Sequence, residues 1–288
     1  MSFIVAAFLL SVTTAVTCAV PGVFVVLRRQ SMLVDAISHG VLPGIVLGVA
    51  LTGSLKSPLM IVGATLMGLL IVASANWLRN SNIVKGDADQ GVIFPVLFAI
   101  GVLMLSTVFS DAHICADTVL AGDLNLMALP SEHLVIAGYN IGPRMMWILI
   151  AVLAINMGFI VRNWRILTVG TFDPEYAQVI GMPARRVSNI LMFLVTLTIV
   201  TAFNVAGSIL VIALMISPVA CALLVARTMP GVIGVSVSVA CASAVIGFWT
   251  AWKLNLPTSA AMAFFGGVIF MAFALWSVRA DKRIAESA

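Results

Sequence analysis

Charge is what this sequence has least of. Only 9% of its 288 residues are Asp, Glu, Lys or Arg, against 62% that are hydrophobic, whereas a water-soluble domain carries about 25% charged residues. Such a chain cannot cover itself with a hydrated surface, which excludes a soluble globular domain. Its net charge of +4 comes from short basic clusters between apolar runs, so no nucleic-acid partner is expected. No Lys or Arg precedes the first apolar stretch, MSFIVAAFLLSVTTAVTCAV. The positive n-region of a secretory signal is thus missing, and the stretch is expected to remain as a span. Cys18, Cys115, Cys221 and Cys241 form no C-x-x-C pair, and three of them lie in apolar runs, where small buried hydrophobes are expected rather than a disulfide framework. No lysine sits in G-x-x-x-x-G-K-[ST]. The chain therefore has no phosphate-cradling loop with which to hydrolyse ATP, and no enzyme activity of its own is expected.

What is present is a series of runs near the 20 or so apolar residues that cross a bilayer. They fall at 2–27, 33–52, 58–78, 91–109, 144–161, 187–204, 206–226, 232–250 and 258–278. This predicts an all-α, polytopic transmembrane helix bundle of nine spans, or eight if the pair separated by a turn near Asn204, or another pair, is one broken element. Residues 1–288 read as a single membrane domain in contact with lipid. With the N-terminus outside, the inner loops hold Arg28, Arg29, Arg79, Lys85, Arg162, Arg165, Arg185, Arg186, Arg227, Arg279, Lys282 and Arg283, and the outer side only Lys56, Arg144 and Lys253. The excess of cations in inner loops fixes this orientation and puts the C-terminus in the cytoplasm. The longest outer segment, 110–143, carries Asp111, His113, Asp117, Asp123, Glu132 and His133. An acidic, His-bearing face suits a cation or a cation-delivering partner, and a plain solvated loop has the same composition. His113 and Cys115 at their spacing are a weak metal signal.

Apart from Arg144 at the very edge of its run, the apolar runs hold no Asp, Glu, Lys, Arg or His except in the second, SMLVDAISHGVLPGIVLG, where Asp35 and His39 stand. Such groups cost at least a few kcal/mol (roughly 2.5 upward) at membrane depth and usually mark a pathway. Four residues apart, they share one helix face. A carboxylate oxygen with an imidazole nitrogen suits Mn, Fe or Zn, whereas Ca and Mg prefer oxygen alone. Pro43 has no N–H for the carbonyl of His39, so a bent helix and one more oxygen are expected there. Gly40, Gly44 and Gly48 make a small-residue stripe that admits a second helix, and a second copy or homologous chain across it would bring two further ligands. An Asp–His hydrogen bond that merely pins packing, or a proton relay, fits the same spacing. Asp35 lies seven residues beyond Arg28, roughly 10 Å of helix, placing the pair in the inner half of the membrane. Ser38 is adjacent to His39 and points about 100° away, which excludes a nucleophile–base pair.

Between spans, RNWRILTVGTFDPEYAQVIGMPARR at 162–186 contains a punctuated short helix: Asp173 as N-cap, Pro174 at the first position, Gly181 as the stop and Pro183 beyond. On the inner side this element fits a groove on a cytoplasmic partner, or lies on lipid headgroups.

With these motifs together, the chain resembles the permeases of bacterial manganese, zinc and iron ABC importers, the family served by cluster A-I metal-binding proteins. The resemblance spans nearly the whole chain and is carried by RRQSMLVDAISHGVLPG at 28–44, TFDPEYAQVIG at 171–181 and VAGSILVIALMISPVACALL at 205–224. It implies that Asp35 and His39 match the family's intramembrane metal pair. Phe172, Asp173, Pro174, Glu175, Tyr176, Ala177 and Gly181, in a cytoplasmic segment of about 163–186, match the part that contacts the ATPase. It further implies a second permease, identical or homologous, a separate ATP-binding cassette ATPase, an extracytoplasmic metal-binding protein and residence in the bacterial inner membrane. No permanently bound cofactor is implied; a divalent metal is the transported substrate. No role carries over to His113 or His133. An ion- or proton-coupled secondary transporter is the competing class, but such folds usually show repeated interrupted helices and several midplane carboxylates, and here Asp35 stands alone.

Overall fold

The structure, a computed structural model, describes residues 3–52, 58–81, 88–108, 124–129, 133–136 and 139–287. Along the chain run α1 (Phe3–Leu27), α2 (Ser31–Gly40), α3 (Leu42–Thr52), α4 (Pro58–Asn80), α5 (Ala88–Val108), the single turn α6 (Leu124–Met127), and strands β1 (His133–Ile136) and β2 (Tyr139–Pro143). They are followed by α7 (Arg144–Arg162), α8 (Trp164–Phe172), α9 (Pro174–Val179), α10 (Ala184–Ala206), α11 (Ser208–Val225), α12 (Met229–Leu254) and α13 (Thr258–Ser287).

Among the described residues, eight helical segments are long and apolar enough to cross a membrane, the broken pair α2–α3 (Ser31–Thr52) counting as one. Residues 91–108 of the expected run 91–109 lie in α5, whose apolar stretch Gly91–Met104 is shorter than the other eight; the helix opens on Ala88 followed by the polar Asp89 and Gln90. The two runs flanking Asn204 are separate helices, divided by Gly207 alone at φ 78° and ψ 168°. The all-α expectation holds but for β1 and β2, a short antiparallel pair with His133 opposite Pro143 and Ile136 opposite Tyr139. His113, Cys115, Asp111, Asp117, Asp123 and Glu132 lie outside the described residues.

A membrane bundle gains little from burying apolar surface, so it is held by close packing and by satisfying each polar group internally. Hydroxyls buried in the helices bond back one turn: Ser11 to Ala7, Thr14 to Leu10, Thr196 to Met192 and Thr198 to Leu194, each to a backbone carbonyl. Between helices, the Asn156 side-chain amide of α7 donates to Thr198 Oγ1 of α10 at 2.9 Å. The centre is built from α1, α10 and α11, where Phe24, Leu10, Leu191, Ile199 and Leu210 are fully buried. Cys18 and Cys221 are buried among them as free thiols. Of the eight candidate spans, Ser31–Thr52 is the most enclosed by the others and Thr258–Arg279 the least. The segment that carries Asp35 and His39 is therefore the most enclosed of the eight.

Candidate functional site

Asp35 and His39 share one face of α2, and Asp35 Oδ1 lies 3.5 Å from His39 Nε2. Neither is sealed: the Asp35 side chain keeps 37% and the His39 side chain 25% of its accessible surface, in keeping with groups that meet a pathway or a neighbouring chain. The His39 ring rests against α5, 5.7 Å from Phe94 and 6.1 Å edge-on from Phe98 between ring centres. Sequence reasoning missed this aromatic wall, because two Phe at spacing four inside an apolar run look like ordinary core.

The helix breaks two residues beyond His39, at Val41. Pro43 offers no N–H to the His39 carbonyl, so the α-helical ladder cannot run through; it resumes with the Ile45 N–H donating to the Val41 carbonyl at 3.1 Å. The His39 carbonyl, expected to be free, is reached by the Val41 N–H, which it shares with the Ile37 carbonyl. One lone pair at most is left over for a ligand. Pro43 itself abuts Gly101 of α5: a Cβ on Gly101 would stand 2.9 Å from Pro43 Cδ.

The glycine stripe is used, but not as expected. A Cβ on Gly40 would meet Ile71 Cδ1 at 2.6 Å, and one on Gly48 would meet Met60 Cα at 2.7 Å. Gly44 lies against the backbone of Gly63. All three face α4 of the same chain, so a second copy cannot seat on this stripe. Further ligands from another chain would have to approach the open face of the Asp35–His39 pair instead. Among the described residues no group of three or more His, Cys, Asp or Glu stands together.

The short helix α9 has the ends its sequence calls for. Asp173 Oδ1 accepts the Tyr176 N–H at 2.9 Å, and Pro174 opens the first turn. At the other end Gly181, at φ 73°, donates to the Gln178 carbonyl and Met182 to the Ala177 carbonyl, each at 3.0 Å. This pairing closes the helix through a left-handed glycine. Ala177 is fully buried, while Phe172, Tyr176, Val179 and Ile180 are exposed around the element. Glu175 is exposed in the first turn.

Beside α9 lies a cavity of about 770 Å³ between the ends of α4 and α10, lined by Gln30, Asn76, Pro174, Gln178, Ser188 and Asn189 among others. It does not reach the Asp35–His39 face. Where α2, α4 and α10 converge above it, Gly68 packs on Thr196 and Ile37, and Ile37 lies on the opposite side of α2 from Asp35.

Eight candidate spans among the described residues, an interrupted helix bearing Asp35 and His39 and a capped connector helix fit a polytopic membrane permease. The chain belongs to the ABC 3 transport family, whose model matches residues 1–277. It is 36% identical to the manganese transport system membrane protein MntD of Bacillus subtilis over 92% of this chain and 89% of that one. It is 35% identical to the zinc transport system membrane protein TroD of Treponema pallidum, covering 93% of this chain and 72% of the relative. Among solved structures it resembles PsaBC from Streptococcus pneumoniae in complex with Fab, with a TM-score of 0.76 at 25% identity over 95% of this chain and 91% of that one.

Proposed function

We propose that this chain is the membrane-spanning permease of an ATP-driven importer of divalent transition metal ions (manganese, zinc or iron), with Asp35 and His39 holding the cation as it passes. The observation that carries the reading is their 3.5 Å separation on an interrupted helix. A charge-assisted hydrogen bond would draw the two atoms to about 2.7–2.9 Å. Two ligands each about 2.1 Å from a tetrahedral cation stand roughly 3.4 Å apart, which matches the observed spacing. That spacing supports the reading of the pair as two ligands of one cation. Relatives that carry manganese and zinc in their names support the metal class.

One chain supplies two side-chain ligands, so a second permease, identical or homologous, completes the site from the open face of α2. The energy comes from a separate ATP-binding cassette ATPase docked on α9. The exposed Phe172, Tyr176, Val179 and Ile180 in and beside it supply the apolar knobs that a cytoplasmic groove would take, with Asp173, Pro174 and Gly181 fixing the helix between them. An extracytoplasmic metal-binding protein delivers the cation to the side opposite α9. Uptake of radioactive manganese and zinc by cells carrying Asp35→Asn or His39→Ala tests the reading. Both variants are expected to assemble in the membrane and to lose uptake; wild-type uptake by both would sink it.

A further inference from the structure

Arg28 stands between the two parts of this machine. Its Nε donates to Thr171 Oγ1 at 3.2 Å and its Nη1 to Ser188 Oγ at 2.6 Å. Thr171 is in the last turn of α8, two residues before the Asp173 cap of α9. Ser188 is at the start of α10, just after the segment. One guanidinium therefore grips both flanks of the connector helix.

The link from Arg28 to the Asp35–His39 helix has no slack. α1 closes with the Arg29 N–H donating to the Val26 carbonyl at 2.9 Å and the Gln30 N–H to the Val25 carbonyl at 3.0 Å. This is the two-bond motif that ends a helix through a left-handed residue. The left-handed residue is Arg29, at φ 55°, where glycine is usual and a side chain is strained. The next residue but one begins α2, and the Leu33 N–H donates to the Gln30 carbonyl at 3.0 Å. Elsewhere, the cavity of about 770 Å³ lies between Pro174 and Gln178 of α9 and Gln30 at the head of α2. Ser188, which accepts from Arg28, is among its lining residues.

Arg28 is also badly placed if its task were only stability. It is half-buried, and burial pushes its guanidinium down to about 10. Its hydrogen-bond partners are two neutral hydroxyls, and no carboxylate pairs with it among the described residues. A buried cation without a counter-charge costs stability, whereas its planar fork holds two partners in fixed geometry.

We propose that Arg28 is a positioning residue that passes displacement of the α9 segment to the helix bearing Asp35 and His39. This rests on the reading of α9 as the ATPase dock and of the pair as the cation site. The test uses the permease assembled with its ATPase, in the wild type, Arg28→Met, Arg29→Gly and the double variant Thr171→Val with Ser188→Ala. The double variant leaves Arg28 in place and guards against misfolding of the arginine variant. Two quantities are read: cations moved per ATP hydrolysed, and hydrogen exchange of the backbone amides of residues 31–36. The expectation is that ATP hydrolysis stays within about twofold while cations moved per ATP fall about tenfold, a coupling loss of ordinary size. Amide exchange at the head of α2 is expected to rise about tenfold in Arg28→Met and in the double variant, and to stay near wild type in Arg29→Gly, which keeps the left-handed turn without its strain. An unchanged transport ratio in the double variant overturns the inference, and so does loss of hydrolysis in step with loss of assembly, the sign of a purely structural role. If the wild-type complex shows no ATP-dependent uptake, the importer reading fails separately, and unchanged exchange at residues 31–36 still overturns the tether.

Discussion

Gly44 and Gly63 meet backbone to backbone: a Cβ built on Gly63 would stand 2.5 Å from the Gly44 carbonyl oxygen. Neither position has room for a methyl group, and the contact holds α3 against α4 directly beyond the helix break. Gly44→Ala and Gly63→Ala are therefore expected to push the helices apart, at a cost of about 1–3 kcal/mol for overpacking. Gly158→Ala is the control, because nothing lies within 4 Å of a Cβ there and alanine favours a helix. Thermal unfolding in detergent should show the first two variants melting earlier and the control at or above wild type. Equal melting of all three would mean that the close approach carries no packing energy.

The α9 segment yields a prediction that separates its fold from its use. Replacing the Asp173 cap by Ala removes the bond to the Tyr176 N–H and should cost about 1 kcal/mol of local stability. Glu175→Arg with Tyr176→Ala leaves the cap and the glycine stop intact but alters the exposed surface. The double variant is expected to keep normal melting while losing co-purification with the ATPase and most of the metal uptake. Full transport with intact co-purification would remove α9 as the docking element.

The sequence made some of this visible and hid the rest for physical reasons. Helix punctuation is local chemistry, so Asp173, Pro174, Gly181 and the break near Pro43 were readable from residue type alone. Asp35 and His39 stood out because charge is costly at membrane depth, which makes two ionisable residues in an apolar run hard to overlook. The use of the Gly40–Gly44–Gly48 stripe was not readable. Spacing says that a backbone comes close but not whose, and the answer is α4 of the same chain. Arg28 looked like one of many inner-loop cations; its partners lie 143 and 160 residues away and are hydroxyls that no pattern singles out. Phe94 and Phe98 disappeared into an apolar run for the same reason.

Those two rings give a test of how His39 is held. Removing the Phe94 ring should free the imidazole to rotate away from Asp35, since the ring centres lie only 5.7 Å apart. Phe94→Ala is expected to raise the apparent KM for metal uptake about tenfold with a smaller effect on maximal rate, a coupling of ordinary size for residues in contact. Phe94→Leu, which keeps bulk, should lose less. If Phe94→Ala transports with an unchanged KM, the wall does not orient the imidazole.

The last prediction concerns Gly207, the single residue between α10 and α11. If both helices cross the membrane, the chain must reverse within that one residue. Its φ of 78° with ψ of 168° falls in a region that is essentially glycine-only, so any side chain there is strained by about 1–3 kcal/mol. Two buried helices leave no room to relax: Ala206, Ser208, Val205 and Leu210 are all fully or almost fully enclosed. Gly207→Ala should therefore lower the melting temperature and shift α11 against α1, whereas Gly267→Ala, with open space around its Cβ, should not. Comparing the two by thermal unfolding and by metal uptake isolates backbone strain from loss of glycine as such. A Gly207→Ala protein as stable and active as wild type would show that the reversal does not depend on the left-handed geometry.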